Sequence, residues 1–169
     1  MRTLYPGTAE IRVFTYKEGL LSTVAHDLQL SVNRFEIVVD PNTAAVRARI
    51  EAGSLEVKCA MKDGREDPGA LSASNKADIE QNIKKEVLNS AKFISIVFES
   101  TSVSDAEVTG KLTLHGITRD VRLSVTQDGE RRVGELRLDQ RDFGIKPYSA
   151  LLGALKIQPH VLVRVSLPL

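Results

Sequence analysis

Three histidines, His26, His115 and His160, one cysteine, Cys59, and the triplet Asp142-Phe143-Gly144 are the residues whose types could do chemistry in this chain. The histidines stand far apart with no paired-ligand spacing, so a metal site would need strands to bring two of them together. A single cysteine forms no intramolecular disulfide, and no second ligand pattern near Cys59 points to zinc, which leaves a buried or idle thiol. Asp142-Phe143-Gly144 matches the metal-binding triplet of protein kinases. The glycine-rich phosphate loop, the strand lysine with its glutamate and the catalytic-loop pattern are all missing, so loop packing is its expected role. No Ser, Thr or Cys sits in a nucleophile elbow or a Cys/His context, and the acidic residues fall mostly on polar strand faces, where solvated charge is the usual reason for them. The expectation is a protein that is not an enzyme, with no catalytic residue, no metal ligand and no cofactor.

With chemistry set aside, the elements carry the information. The clearest stretch covers residues 108–125, VTGKLTLHGITRDVRLSV, where Val108, Leu112 and Leu114 alternate with Thr109, Lys111 and Thr113, and then Val121, Leu123 and Val125 alternate with Arg122 and Ser124. Period-two alternation gives each strand one apolar and one polar face, and Gly116 lets the pair fold back as an antiparallel hairpin. A hairpin alone is marginal in water, so other strands must curve round its apolar face. Residues 8–16, 26–39, 45–57, 93–101, 133–139 and 160–167 supply them, with turns at Asp40 to Thr43 and Asp128-Gly129 and an expected bulge at Gly53. Residues 17–25 break the alternation and suggest a short helical turn or lid. Residues 59–74 read as a loop, and residues 141–159 as a covering loop with a short strand near Leu155 to Ile157. Ile79, Ile83 and Val87 recur at helical spacing, which predicts one amphipathic helix over residues 75–88, capped by Ser74 or Asn75 and carrying a Glu80–Lys84 ion pair. The sum is an all-β chain of about eight strands with one α-helix.

The 169 residues suit one domain, and 42% hydrophobic residues exclude a disordered chain. With 23 basic against 22 acidic residues, the charge balance gives no reason to expect nucleic acid or an anionic surface as partner. No early apolar run reads as a secretory signal and no segment is long enough for a transmembrane helix, so the chain is expected in the cytoplasm as written, or in the periplasm if a leader has been removed. Sequence physics leaves a sandwich and a barrel both open.

FISIVFEST at residues 93–101, then VTGKLTLHGITRDVRL, then RDFGI at residues 141–145, resembles the YceI-like family in order and spacing, and the likeness extends to GLLSTVAHDLQL at 19–30 and SLEVKC at 54–59. The resemblance implies a lipocalin-like, extended antiparallel β-barrel over residues 1–169, enclosing a long apolar cavity that in relatives binds a polyisoprenoid or another amphiphilic chain. Ile94 stands where many relatives have proline. The expected role is binding, carriage or sequestration of such a ligand, lined by Ile11, Val13, Leu28, Leu30, Ile50, Ile96, Phe98, Leu112, Leu114, Leu123, Leu136, Leu138, Val161 and Val163. An isoprenoid or lipid-like small molecule is the expected partner, and a second copy of the chain in a homodimer is the other one allowed. His26-Asp27 falls at the strand entry that the resemblance implies. It reads as a hydrogen-bonded structural pair, with the orienting of a ligand head group as the sharper alternative. The rival function is a filled barrel acting as a protein-interaction module through residues 141–159, where Tyr148, Leu151, Leu152 and Leu155 lie among small residues. An internal volume separates carrier from filled module.

Overall fold

The computed structural model describes residues 1–19, 25–153 and 155–169. The chain runs through β1 (Arg2–Leu4), β2 (Glu10–Thr15), β3 (Asp27–Val32), β4 (Phe35–Val39), β5 (Val46–Glu51), β6 (Leu55–Lys62) and β7 (Arg65–Asp67), then helix α1 (Ala73–Asn82). There follow β8 (Ser95–Val103), β9 (Glu107–Leu114), β10 (Ile117–Asp128), β11 (Arg131–Asp139), a small hairpin of β12 (Ser149–Ala150) and β13 (Leu155–Lys156), and β14 (His160–Pro168). Twelve strands form one antiparallel sheet in the order β1-β4-β5-β8-β9-β10-β11-β14-β2-β3-β6-β7. The short turn or lid expected at residues 17–25 falls largely on residues outside those described, as does the side chain of Leu151.

Twelve strands stand where about eight were expected, and bending explains the difference. The segments β3 and β4 are two halves of one extended run interrupted only at Asn33-Arg34, and β5 and β6 are halves of another, interrupted by the short 3-10 turn Ala52–Ser54. That turn replaces the bulge expected at Gly53. Buried Ser54 holds both bends at once: its carbonyl accepts the Asn33 N–H (3.0 Å), its hydroxyl oxygen accepts the Arg34 N–H (3.1 Å), and the hydroxyl donates to the Glu51 carbonyl (2.8 Å). Strands β1 and β7 are three-residue additions at the sheet edges. Counting each bent run once and omitting those edges leaves β2, β3 with β4, β5 with β6, β8, β9, β10, β11 and β14.

The bent hairpin also closes the sheet on itself. Its β3 half pairs with β2 and its β5 half pairs with β8, so the two ends of the sheet order belong to one hairpin and the sheet curls into a barrel. Where β6 has no long strand beyond it, α1 lies alongside. Glu80 Oε1 accepts the Val57 N–H (3.0 Å) and Lys76 Nζ donates to the Lys58 carbonyl (3.2 Å), so helix side chains satisfy backbone groups that an open edge would leave to water. Glu80 is thus engaged across the barrel wall, in contrast to the expected partnership with Lys84.

The helix begins at Ala73, two residues earlier than the periodicity suggests. Ser72, not Ser74 or Asn75, is the cap: its Oγ accepts the Asn75 N–H (3.0 Å) while Asn75 Oδ1 accepts the Ser72 N–H (3.3 Å). The residues at 59–74 expected as loop contain the end of β6 and all of β7, joined by Asp63-Gly64 with φ of 52° and 76°. Both values lie in the left-handed region that a tight hairpin turn demands.

Candidate functional site

The strands' inward residues do not meet across the barrel. They surround a cavity of about 680 Å³, within the range of small-molecule sites. All fourteen residues named from the strand pattern line it: Ile11 and Val13 from β2, Leu28 and Leu30 from β3, Ile50 from β5, Ile96 and Phe98 from β8, Leu112 and Leu114 from β9, Leu123 from β10, Leu136 and Leu138 from β11, and Val161 and Val163 from β14. The registers Leu138↔Val161, Leu136↔Val163, Val163↔Val13 and Val13↔Leu30 set four neighbouring strands' apolar side chains side by side on one wall. Such alternation is the reason the apolar strand faces line the wall of the cavity that the family resemblance implies.

The lining extends beyond that list. Ile37 and Val39 of β4 and Val46 of β5 continue the wall, and Ile79, Ile83 and Val87 turn the apolar face of α1 and the following π turn toward the interior. Their helical periodicity is plain in the sequence, but the face's destination depends on α1 lying against β6, which no local pattern states. Ile145, Tyr148, Leu155 and Ile157 add the covering loop to one end. Leu152, by contrast, is fully exposed at φ 54°.

Most polar lining residues lie toward the two ends. At the end where β2 finishes and β3 begins lie Thr15, His26, Asn75, Asp78, Gln140 and Tyr148, at the other lie Ser104 and Arg132, and Asn82 joins the lining from the last turn of α1. Thr15 Oγ1 is the buried side-chain oxygen that has no hydrogen-bond partner among the described residues. Gln140 is buried and donates from Nε2 to the Gln158 carbonyl (3.2 Å). Exposed Arg132 reaches Asp105 at 3.4 Å.

The histidines do not converge. His26 lines the cavity end, His115 Nδ1 donates to the Phe143 carbonyl (3.2 Å) beside the Phe93 ring, and His160 lies 3.7 Å from Asp139. Asp27 accepts the Lys17 N–H (2.8 Å), so its carboxylate ties two strand ends together. Among the described residues no three His, Cys, Asp or Glu side chains gather as a metal-binding group. Asp142-Phe143-Gly144 closes the 3-10 turn Gln140–Phe143, with Phe143 buried and the Asp142 carbonyl accepting from Arg119 Nε (3.0 Å). Buried Cys59 has its thiol pushed up by loss of hydration, away from the thiolate a nucleophile requires. No helix among the described residues is long and apolar enough to cross a membrane.

With this geometry in view, known proteins provide a comparison. The sequence model of the YceI-like domain matches residues 6–169. UPF0312 proteins of Pseudomonas savastanoi pv. phaseolicola and Pseudomonas putida (strain W619) are 39% and 42% identical to it over 66 residues, a match spanning 33% of this chain and about a third, 34%, of those relatives' length. Among solved structures, BcnA of Burkholderia cenocepacia superimposes with a TM-score of 0.59 at 17% identity, covering 94% of each chain. A polyisoprenoid binding domain from Saccharophagus degradans, described as implicated in plant cell wall breakdown, does so with a TM-score of 0.56 at 11% identity, covering 97% of this chain and 95% of its own. At those identities the two neighbours share the fold.

Proposed function

Because the chain belongs to the YceI-like domain family, we propose that it is a non-enzymatic carrier or sequestering protein for a long apolar or amphiphilic molecule, a polyisoprenoid or lipid-like chain held inside the barrel. One observation carries this reading: an interior of about 680 Å³ lined almost wholly by aliphatic side chains, where a filled interaction module would have closed packing. The Saccharophagus neighbour, described as polyisoprenoid binding, supports the choice of tail.

Affinity in such a cavity comes from apolar area taken out of water. Each added methylene of cargo contributes about 0.8 kcal/mol before the entropy of ordering the chain is subtracted. A homologous series of prenyl or fatty alcohols is therefore expected to bind more tightly with length until the cavity is full. Titration by displacement of a fluorescent lipid, together with native mass spectrometry of purified protein, checks this. Length-independent affinity would sink the carrier reading.

A further inference from the structure

The hairpin of β12 and β13 has a base that belongs to the barrel and a tip that does not. At the base, Tyr148, Leu155 and Ile157 line the cavity, and the Ile157 N–H donates to the Tyr148 carbonyl (3.0 Å). At the tip, Leu152 stands fully exposed with φ of 54°, followed by Gly153 at φ 89°. Glycine adopts such angles freely, whereas a leucine side chain crowds its own backbone there. Position 152 therefore bears a conformational cost and recovers none of it through burial within the chain. A lone exposed leucine is ordinary on a protein surface; one held in strained backbone, where glycine would serve the turn better, points to something outside the chain that receives it.

Charge that cancels over the whole chain does not cancel here. Residues 143–159 contain Lys146 and Lys156, both exposed, and no aspartate or glutamate. Lys156 lies along the tip, its Nζ 3.9 Å from where a Cβ on Gly153 would stand. A third lysine comes from the segment beside the hairpin, since Lys17 bridges Ile157 and the Glu18 N–H donates to the Lys156 carbonyl (2.9 Å). Among the described residues none of these three lysines has an ion-pair partner. Glu18, the acidic side chain of that segment, lies within electrostatic reach of Arg141.

An apolar tip ringed by lysines fits a lipid surface: the leucine leaves water for the acyl boundary while the ammonium groups stay at the level of the phosphates. A stable protein interface needs roughly 800 Å² from each partner, more than one hairpin tip offers, whereas a bilayer accepts a single inserted side chain.

We propose that the β12 and β13 hairpin docks the barrel on an anionic lipid bilayer, with Leu152 inserted and Lys146 and Lys156 on the head groups. Docking turns the cavity end bounded by Tyr148, Leu155 and Ile157 toward the membrane, so that apolar cargo enters or leaves beside lipid rather than through water. The docking goes beyond the carrier reading and does not need it, because an empty barrel has the same tip.

Sedimentation of the intact chain with vesicles of phosphatidylcholine mixed with phosphatidylglycerol tests it. Binding is expected, and added salt is expected to weaken it severalfold. Lys146→Gln combined with Lys156→Gln is expected to lose roughly twentyfold on the mixed vesicles and little on phosphatidylcholine alone. Leu152→Asp is expected to lose roughly tenfold or more on both. Leu152→Gly is expected to weaken vesicle binding while leaving the urea midpoint unchanged or higher, a combination that a leucine needed for folding would not give. Absence of binding to the mixed vesicles overturns the proposal, as does binding that Leu152→Asp leaves intact. So does a dimer in sedimentation velocity that Leu152→Asp dissolves, which would assign the tip to a second copy of the chain. None of these outcomes touches the titration with prenyl or fatty alcohols, so docking and carriage fail separately.

Discussion

A methyl group at position 110 has nowhere to go. A Cβ built there would lie 2.5 Å from Phe98 Cζ and against the Glu99 backbone carbonyl, so glycine in the middle of β9 lets the Phe98 ring of the adjacent strand lie flat over it. Gly110→Ala is expected to destabilise the protein by about 1–3 kcal/mol, read as a shift in the urea midpoint. Phe98→Leu in the same chain is expected to restore only part of that loss, because the ring can be removed and the carbonyl cannot. Full recovery, or no loss at all, would contradict the packing described for β8 and β9. The same residue shows where reading the sequence stops: Gly110 continues the inward series Val108, Leu112 and Leu114, yet only the neighbouring strand explains the missing side chain.

At the scale of elements, the 3-10 turn Gln140–Phe143 fixes one rim of the cavity through a single carboxylate. Asp139 accepts the Arg141 N–H (2.9 Å) and a forked pair of bonds from the Arg141 guanidinium (3.0 and 2.7 Å), and these hold its pKa down from the usual 3.8 to about 2. A carboxylate whose folded pKa lies below its unfolded one stabilises the fold in full above the unfolded value and loses that contribution as pH falls through the folded value. Stability from this contact is therefore expected to fade between about pH 4 and pH 2, and Arg141→Gln to flatten the pH dependence of the urea midpoint across that window. An unchanged profile would mean the turn is held by something else. Turns of this kind are hard to read in sequence, since RDFGI carries a buried Phe143 between charged and glycine residues and shows no period. Long strands such as β14 were legible because alternation runs unbroken through Val161, Val163, Val165 and Leu167. The hairpin of β6 and β7 was not, because Lys58, Lys62, Arg65, Glu66 and Asp67 dilute the apolar signal, and Asp63-Gly64 was the one local cue to it. The bend at Asn33-Arg34 was likewise invisible, and the one at Ser54 was legible only as a bulge at Gly53, as both depend on hydrogen bonds between segments some twenty residues apart.

For the molecule as a whole, the pairing of β14 with β2 sets Val165 beside Ile11 and so joins the two ends of the chain in one seam. Contacts this distant in sequence require closure of nearly the whole chain as a loop before they can form. A chain stopped after residue 159 lacks the strand that bridges β11 and β2, and it is expected to show no cooperative urea transition. A chain lacking residues 1–4 loses only an edge strand and is expected to keep one at lower stability. Equal behaviour of the two would argue against closure through this seam. The seam also dictates when the barrel can close: until β14 has emerged from the ribosome the apolar interior has no wall on one side, so the strands made before it meet the cell as a half-open sheet with its apolar face uncovered.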